Sequence, residues 1–194
     1  MKKTLLCGAA LMFTSCATLA FAQSPGMEGS GSTPAAGPSG PAQPGTAQPG
    51  NSQISETDQN FVTRAAESGL AEVMAGQLAE QKGDSSVRMI GERMVRDHTK
   101  VNDAMKAKAQ MMALSLPTAP SPSEQAQYTA LRNATGTAAF DHLYLADQRK
   151  AHIEAIALFG NEARKGENPE LKSLARQTLP ALRAHLKMIE AAQR

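Results

Sequence analysis

The sequence predicts an all-α protein, a four-helix bundle built from two helical hairpins. Three observations predict it. Apolar and small residues recur every three or four positions through four long stretches after Ile54, which is the period of a helix face. No stretch in that region alternates convincingly with the period of two that marks a half-buried strand. Aromatics are only 4% of the 194 residues and tryptophan is absent. That composition argues against β-sandwiches and for an Ala/Leu/Met-rich helical protein.

The elements follow in order. The first helix should start at Ser55, with Asp58 three positions on as a capping-box-like pair. Phe61, Ala65, Gly69, Val73 and Gly76 keep one face small and apolar up to a stop at Lys82-Gly83. Asp84 or Ser85 should cap the second helix, whose stripe is Val87, Gly91, Met94, Val101, Met105, Ala109 and Met112. Pro117, Pro120 and Pro122 end it. The third helical stretch starts near Ser123 and is broken near its start at Thr135-Gly136. It then runs from about Ala138 to Lys165, with Tyr144, Leu145, Gln148, Ala155, Ile156 and Phe159 on its stripe. Gly166 is its stop. Asn168-Pro169 opens the fourth helix as cap and first helical position. Leu171, Leu174, Thr178, Leu182 and Ile189 form its face, and Pro180 should kink it. Short connections inside each pair make antiparallel neighbours.

Two segments precede the bundle. Residues 1–22 read as a cleaved signal peptide, with Lys2 and Lys3 ahead of an apolar run and Ala20-Phe21-Ala22 as a small-x-small cleavage site. The run is short of the roughly 20 apolar residues of a spanning helix, so no transmembrane helix is expected in the mature chain. Lipid attachment at Cys16 is the weaker alternative, because Phe13 is a poor residue three places before a lipid-modified cysteine. Residues 23–53 hold 7 Gly and 6 Pro, a composition that cannot offset chain entropy by burial and predicts a disordered linker or tether. Residues 54–194 are the bundle domain. Removing the signal takes away both cysteines, Cys7 and Cys16, and leaves 18 basic against 18 acidic residues. The expected location is the periplasm or the outer membrane, where a thiol-free domain depends on packing alone. A balanced charge gives no footprint for nucleic acid.

The informative residues are the ionisable groups on the apolar stripes. At 100° per residue, His98 falls between Met94 and Val101, His152 between Gln148 and Ala155, and His185 between Leu182 and Met188. Glu72 shares a face with Phe61, Ala65, Gly69 and Gly76, toward the edge of the apolar sector. Rises of ~1.5 Å per residue bring all four toward one layer. Three histidines and a carboxylate are reasonable chemistry for a transition-metal ion in a bundle core. A buried polar layer that fixes helix register is the competing reading. The residues three before the histidines are Val95, Ala139, Arg149 and Leu182, so the Glu-x-x-His signature of di-iron bundles is missing. Asp97 and His142 are expected to serve solvent or a flank. The methionines read as core filler and scattered surface residues. A Gly-x-Ser-x-Gly elbow and a glycine-rich phosphate loop are both missing from the sequence.

The run Phe61-Val62-Thr63-Arg64-Ala65-Ala66-Glu67-Ser68-Gly69-Leu70-Ala71-Glu72 resembles the opening of the bacterial family called domain of unknown function 4142. Met94-Val95-Arg96-Asp97-His98-Thr99-Lys100, Phe140-Asp141-His142-Leu143-Tyr144, and Leu179-Pro180 followed by His185-Leu186 are similar to its later elements. The resemblance spans about residues 56–190. It implies a ferritin-like four-helix domain, exported, periplasmic or outer-membrane, with no established activity. Where the family commonly repeats an Asp-His pair in the third helix, this chain reads Ala151-His152. Two functions are therefore carried forward. One is a non-enzymatic envelope protein that binds a protein partner or a second copy of itself, or serves stress tolerance. The other is a metal-binding protein that uses Glu72, His98, His152 and His185.

Overall fold

The computed structural model describes residues 54–194, and the signal and linker expected over 1–53 lie outside the described residues. Five helices fill this region: α1 (Glu56–Lys82), α2 (Ser85–Met111), α3 (Pro122–Asn133), α4 (Thr137–Lys165) and α5 (Pro169–Ala192).

Local chemistry sets their ends. Ser55 caps α1 by accepting from the Asp58 N–H, and the Asp84 carboxylate caps α2 by accepting from Ser86 and Val87. Ser121 and Glu124 form a capping box on α3, with Pro122 in its first turn. Gly136 stands before α4 with φ of +79°, a left-handed conformation open to glycine without strain. Asn168 caps α5, which Pro169 opens. α5 continues through Pro180. The amide that proline lacks would have bonded the carbonyl of Arg176, an exposed residue, so the loss falls on the solvent side of the helix. The break at Thr135-Gly136 is present. The piece ahead of it is a helix in its own right, packed against α1 and α4.

Side-chain links fix the directions. Asp58, at the start of α1, accepts from the N–H groups of Glu167 and Asn168 in the α4–α5 turn. Lys82, at the end of α1, donates to the carbonyls of Leu131, Arg132 and Ala134 at the end of α3. Lys108 near the end of α2 pairs with Glu170 at the start of α5. The four long helices therefore form a ring in the order α1, α2, α5, α4, with every neighbour antiparallel. α2 and α4 sit on the diagonal and run in the same direction. The segment that joins them, 112–136, must travel the length of the bundle, roughly 40 Å for helices of this length. One long crossover of this kind is the ferritin-like connection.

The apolar core is in two parts. One, near the end of α1, gathers Ala79, Ile90, Met94, Phe140, Tyr144 and Ile189. The other, near its start, gathers Phe61, Val62, Met105, Phe159, Leu171 and Leu182. Each long helix places its mid-height polar residue between a residue of one part and a residue of the other, as His98 lies between Met94 and Met105. Met94 and Met105 are core, whereas Met89 and Met111 are exposed.

A second buried polar pair sits at the end of the bundle. Glu162 of α4 is 0% exposed, and its carboxyl folds against Gly166, where an added Cβ would lie 2.0 Å from Oε1. Burial and the neighbouring Asp58 push its pKa up to about 7. Asp58 is itself held by amide donors, with Glu167 N–H at 3.0 Å and Asn168 N–H at 3.1 Å.

Candidate metal centre

His98, His152 and His185 meet at mid-height, 7%, 1% and 2% exposed. Each comes from a different helix, α2, α4 and α5. Their ring centroids are 5.4 to 5.5 Å apart. One ligating nitrogen from each lies within 4.8 Å of the other two.

The hydrogen bonds around the rings set their tautomers. His152 Nδ1 lies 2.9 Å from the Gln148 carbonyl oxygen, which only accepts, so Nδ1 carries the proton. His185 Nε2 lies 3.0 Å from Asp97 Oδ2 and by the same logic donates to that carboxylate. The remaining nitrogens, His152 Nε2 and His185 Nδ1, face each other at 3.4 Å. Two neutral imidazoles carry two protons, and these three contacts call for three. His98 Nε2, beside them, is buried with no hydrogen-bond partner. The His152–His185 contact is thus one proton short, and a metal ion between the rings would satisfy both nitrogens. Nitrogens at about 2.0 Å from one ion are about 3.3–3.5 Å apart at tetrahedral to trigonal angles. The observed 3.4 Å between His152 and His185 matches that spacing.

Electrostatics disfavour the charged form of two of the rings, His98 and His185. Burial pushes His98 down to about 3, helped by His152 and His185. Burial also lowers His185, against the pull of Asp97. Desolvation works to raise Asp97, but hydrogen bonds from His185 and Arg93 outweigh it and hold the carboxyl at about 2. Asp97 is also paired with Arg93 and Arg96. A carboxylate that accepts from the outer nitrogen of a histidine fixes that ring and raises its basicity as a ligand.

Of the four residues singled out in the sequence, the structure brings the three histidines into one triangle. Glu72 is in the same layer and 6% exposed, so it is buried and not at the edge of the apolar sector. Its Oε1 lies 3.9 Å from His152 Nδ1, the outer nitrogen of that ring, and hence outside the triangle. Burial raises its pKa, partly offset by His152 and the Gln148 side chain. His142 is exposed. Asp97 is the residue that sequence reasoning missed. It points about 100° away from its neighbour His98 around the helix, which carries it across the α2–α5 interface to His185. The signal was the Asp97-His98 pair itself, read against the neighbouring helix and not within its own.

A cleft of about 410 Å³ opens beside the layer between α1, α3 and α4. Ala71 and Ala75 on α1, with Ala151 and Ala155 on α4, leave its volume free. Glu72 and Gln148 line it as well.

Residues 43–192 match the family described as Domain of unknown function (DUF4142). Among solved structures the fold is similar to a DUF305 fragment from Deinococcus radiodurans, at 16% identity and a TM-score of 0.63 over 71% of this chain and 95% of that one. It is similar to CopM in the Cu(I)-bound form, at 18% identity and 0.59 over 71% and 95%. It is also similar to CopM in the Ag-bound form, at 20% identity and 0.57 over 69% and 93%. No curated protein matches the chain. At these identities the likeness is one of fold. The family match covers most of the chain and reaches from before the first helix to the last residue of α5, and the chain belongs to the DUF4142 family.

Proposed function

We propose that this protein is an exported, non-enzymatic metal-binding protein that holds one transition-metal ion between His98, His152 and His185, with copper as the first candidate. The observation that carries the reading is the missing proton between the buried rings of His152 and His185, with His98 Nε2 unpartnered beside them. His152 Nε2 and His185 Nδ1 face each other without a proton between them. A metal ion there would satisfy both, and burial keeps His98 and His185 from supplying that charge as protons. Imidazole suits copper, zinc, iron and nickel. A monovalent ion brings the least charge into a desolvated layer, which favours Cu(I). The similarity of the fold to CopM, solved with Cu(I) and with Ag, supports the same choice. A triad that is almost fully buried suits retention of an ion better than its presentation to a substrate. The signal-like residues 1–22 and the Gly/Pro-rich residues 23–53 support a place in the periplasm or at the outer membrane. Among the described residues no helix is long and apolar enough to cross a membrane.

The test is elemental analysis of the domain purified without chelating resin, with thermal melts in Cu(I) under reductant and in Zn(II). One metal per chain and a higher melting temperature are expected, both lost in His98→Ala and His152→Ala variants that remain helical. Metal-free protein whose melt ignores every added ion would overturn the reading.

A further inference from the structure

The α1/α3/α4 cleft carries features that the histidine triad does not use. Its inner wall holds two buried side chains with unsatisfied acceptors. Glu72 Oε2 and Gln148 Oε1 are both buried with no hydrogen-bond partner, on residues only 6% and 3% exposed. Both line the cleft. Buried oxygens without a partner are costly, native structures pair them with a proton donor, water or an ion, and the Gln148 amide oxygen has no proton of its own to take up. The lining adds the sign of the charge. Five carboxylates, among them Glu124 and Asp147, face only two basic side chains, Arg64 and Lys150. Neither basic group forms an ion pair with Glu72 among the described salt bridges.

We propose that this cleft is a second cation site, separate from the triad, that takes a hard divalent ion on oxygen ligands with Glu72 and Gln148 as its inner ligands. The two places differ in chemistry. The triad offers nitrogen alone. The cleft offers carboxylate and amide oxygen, which suit Mg²⁺, Ca²⁺ and Mn²⁺. Such ions keep part of their water, and a cleft of about 410 Å³ has room for a hydrated ion. Glu124 and Asp147 on the walls would hold those waters and concentrate cations at the mouth. Glu72 is then a ligand of the cleft ion, and His152 the wall between the two sites.

Mn²⁺ serves as the probe, with free ion measured by electron paramagnetic resonance during titration of the purified domain and of the His98→Ala/His185→Ala double variant. One saturable Mn²⁺ per chain is expected in both proteins. Glu72→Gln should weaken it at least tenfold and leave copper or zinc loading at the triad intact. Should Glu72→Gln fail to fold, Asp147→Asn takes its place, with a several-fold loss expected. Absence of saturable Mn²⁺ binding overturns the proposal. So does binding that survives the carboxylate substitutions, or binding that disappears with the triad histidines. Because the double variant lacks the triad, failure of this site and failure of the triad reading give different results.

Discussion

Two buried polar clusters interrupt the interior, and they handle the same electrostatic problem in opposite ways. At the end of the bundle, Glu162 sits beside Asp58 with its carboxyl pushed up to about 7. It can take a proton in the neutral range, and a neutral acid beside a carboxylate is a hydrogen-bond donor. At mid-height, burial pushes His98 down to about 3, so the same move is closed. Burial disfavours the charged form of either group. For a carboxyl the uncharged form carries the proton. For an imidazole it is the form without it. A crowded carboxyl pair can therefore satisfy itself from water, whereas crowded imidazoles are left with lone pairs that suit a metal ion. This is the physical reason the end cluster reads as structural and the central layer as a site.

Substitutions can separate the two clusters. The largest effect on stability is expected from Asp58→Ala, which strips the acceptor from the Glu167 and Asn168 amides. Hydrogen bonds to a charged group contribute about 1.5–3 kcal/mol, so a loss of about 3 kcal/mol is expected in urea unfolding, with metal loading of the folded protein unchanged. A parallel loss of metal would merge the two clusters into one unit. Next comes metal itself. At a hundred-fold excess over Kd, a ligand of the folded state adds about 2.7 kcal/mol. That gain should vanish in His152→Ala and persist in Glu162→Gln, both read by denaturant titration with and without Cu(I). Asp97→Asn should retain the metal with roughly 10–100-fold lower affinity, the usual cost of removing a partner of a ligating histidine. A competition titration against a chelator measures it, and unchanged affinity would remove Asp97 from the site.

The smallest effect is one of pH, in protein kept metal-free. Glu162 has a folded-state pKa of about 7 against an ordinary 4.5, with Asp58 raising it and Lys172 opposing. The folded state holds this proton more tightly, so stability falls as pH rises from about 4.5 to about 7 and is flat above. His98 runs the other way, from an ordinary 6.5 to about 3 when folded. The unfolded chain takes up this proton first, so stability falls as pH drops below 6.5. Between about 4.5 and 6.5 the slopes oppose. Glu162→Gln removes one of them and should make the loss on acidification steeper than in the parent. Equal slopes in the two proteins would mean that Glu162 titrates normally.

Much of this was legible in the residues. The caps at Ser55 and Asn168, the stop at Gly83 and the break before α4 all come from side chains that bond their own backbone or from glycine and proline, which act within a few residues. His98, His152 and His185 could be placed inward because periodicity assigns a face. Glu72 was placed only at an edge, because its surroundings include His152 of α4, 80 positions away. Asp97 was set aside for the same reason, since its partner is 88 positions away on another helix. The sequence by itself determined the helices, their ends and which histidines look inward, because those follow from local bonds and a 3.6-residue period. Only the tertiary structure decided which nitrogens face each other, which carboxylate orients His185 and that Glu72 opens to the cleft. Those facts depend on the rotation and height of one helix against its neighbours, which packing across the whole bundle sets.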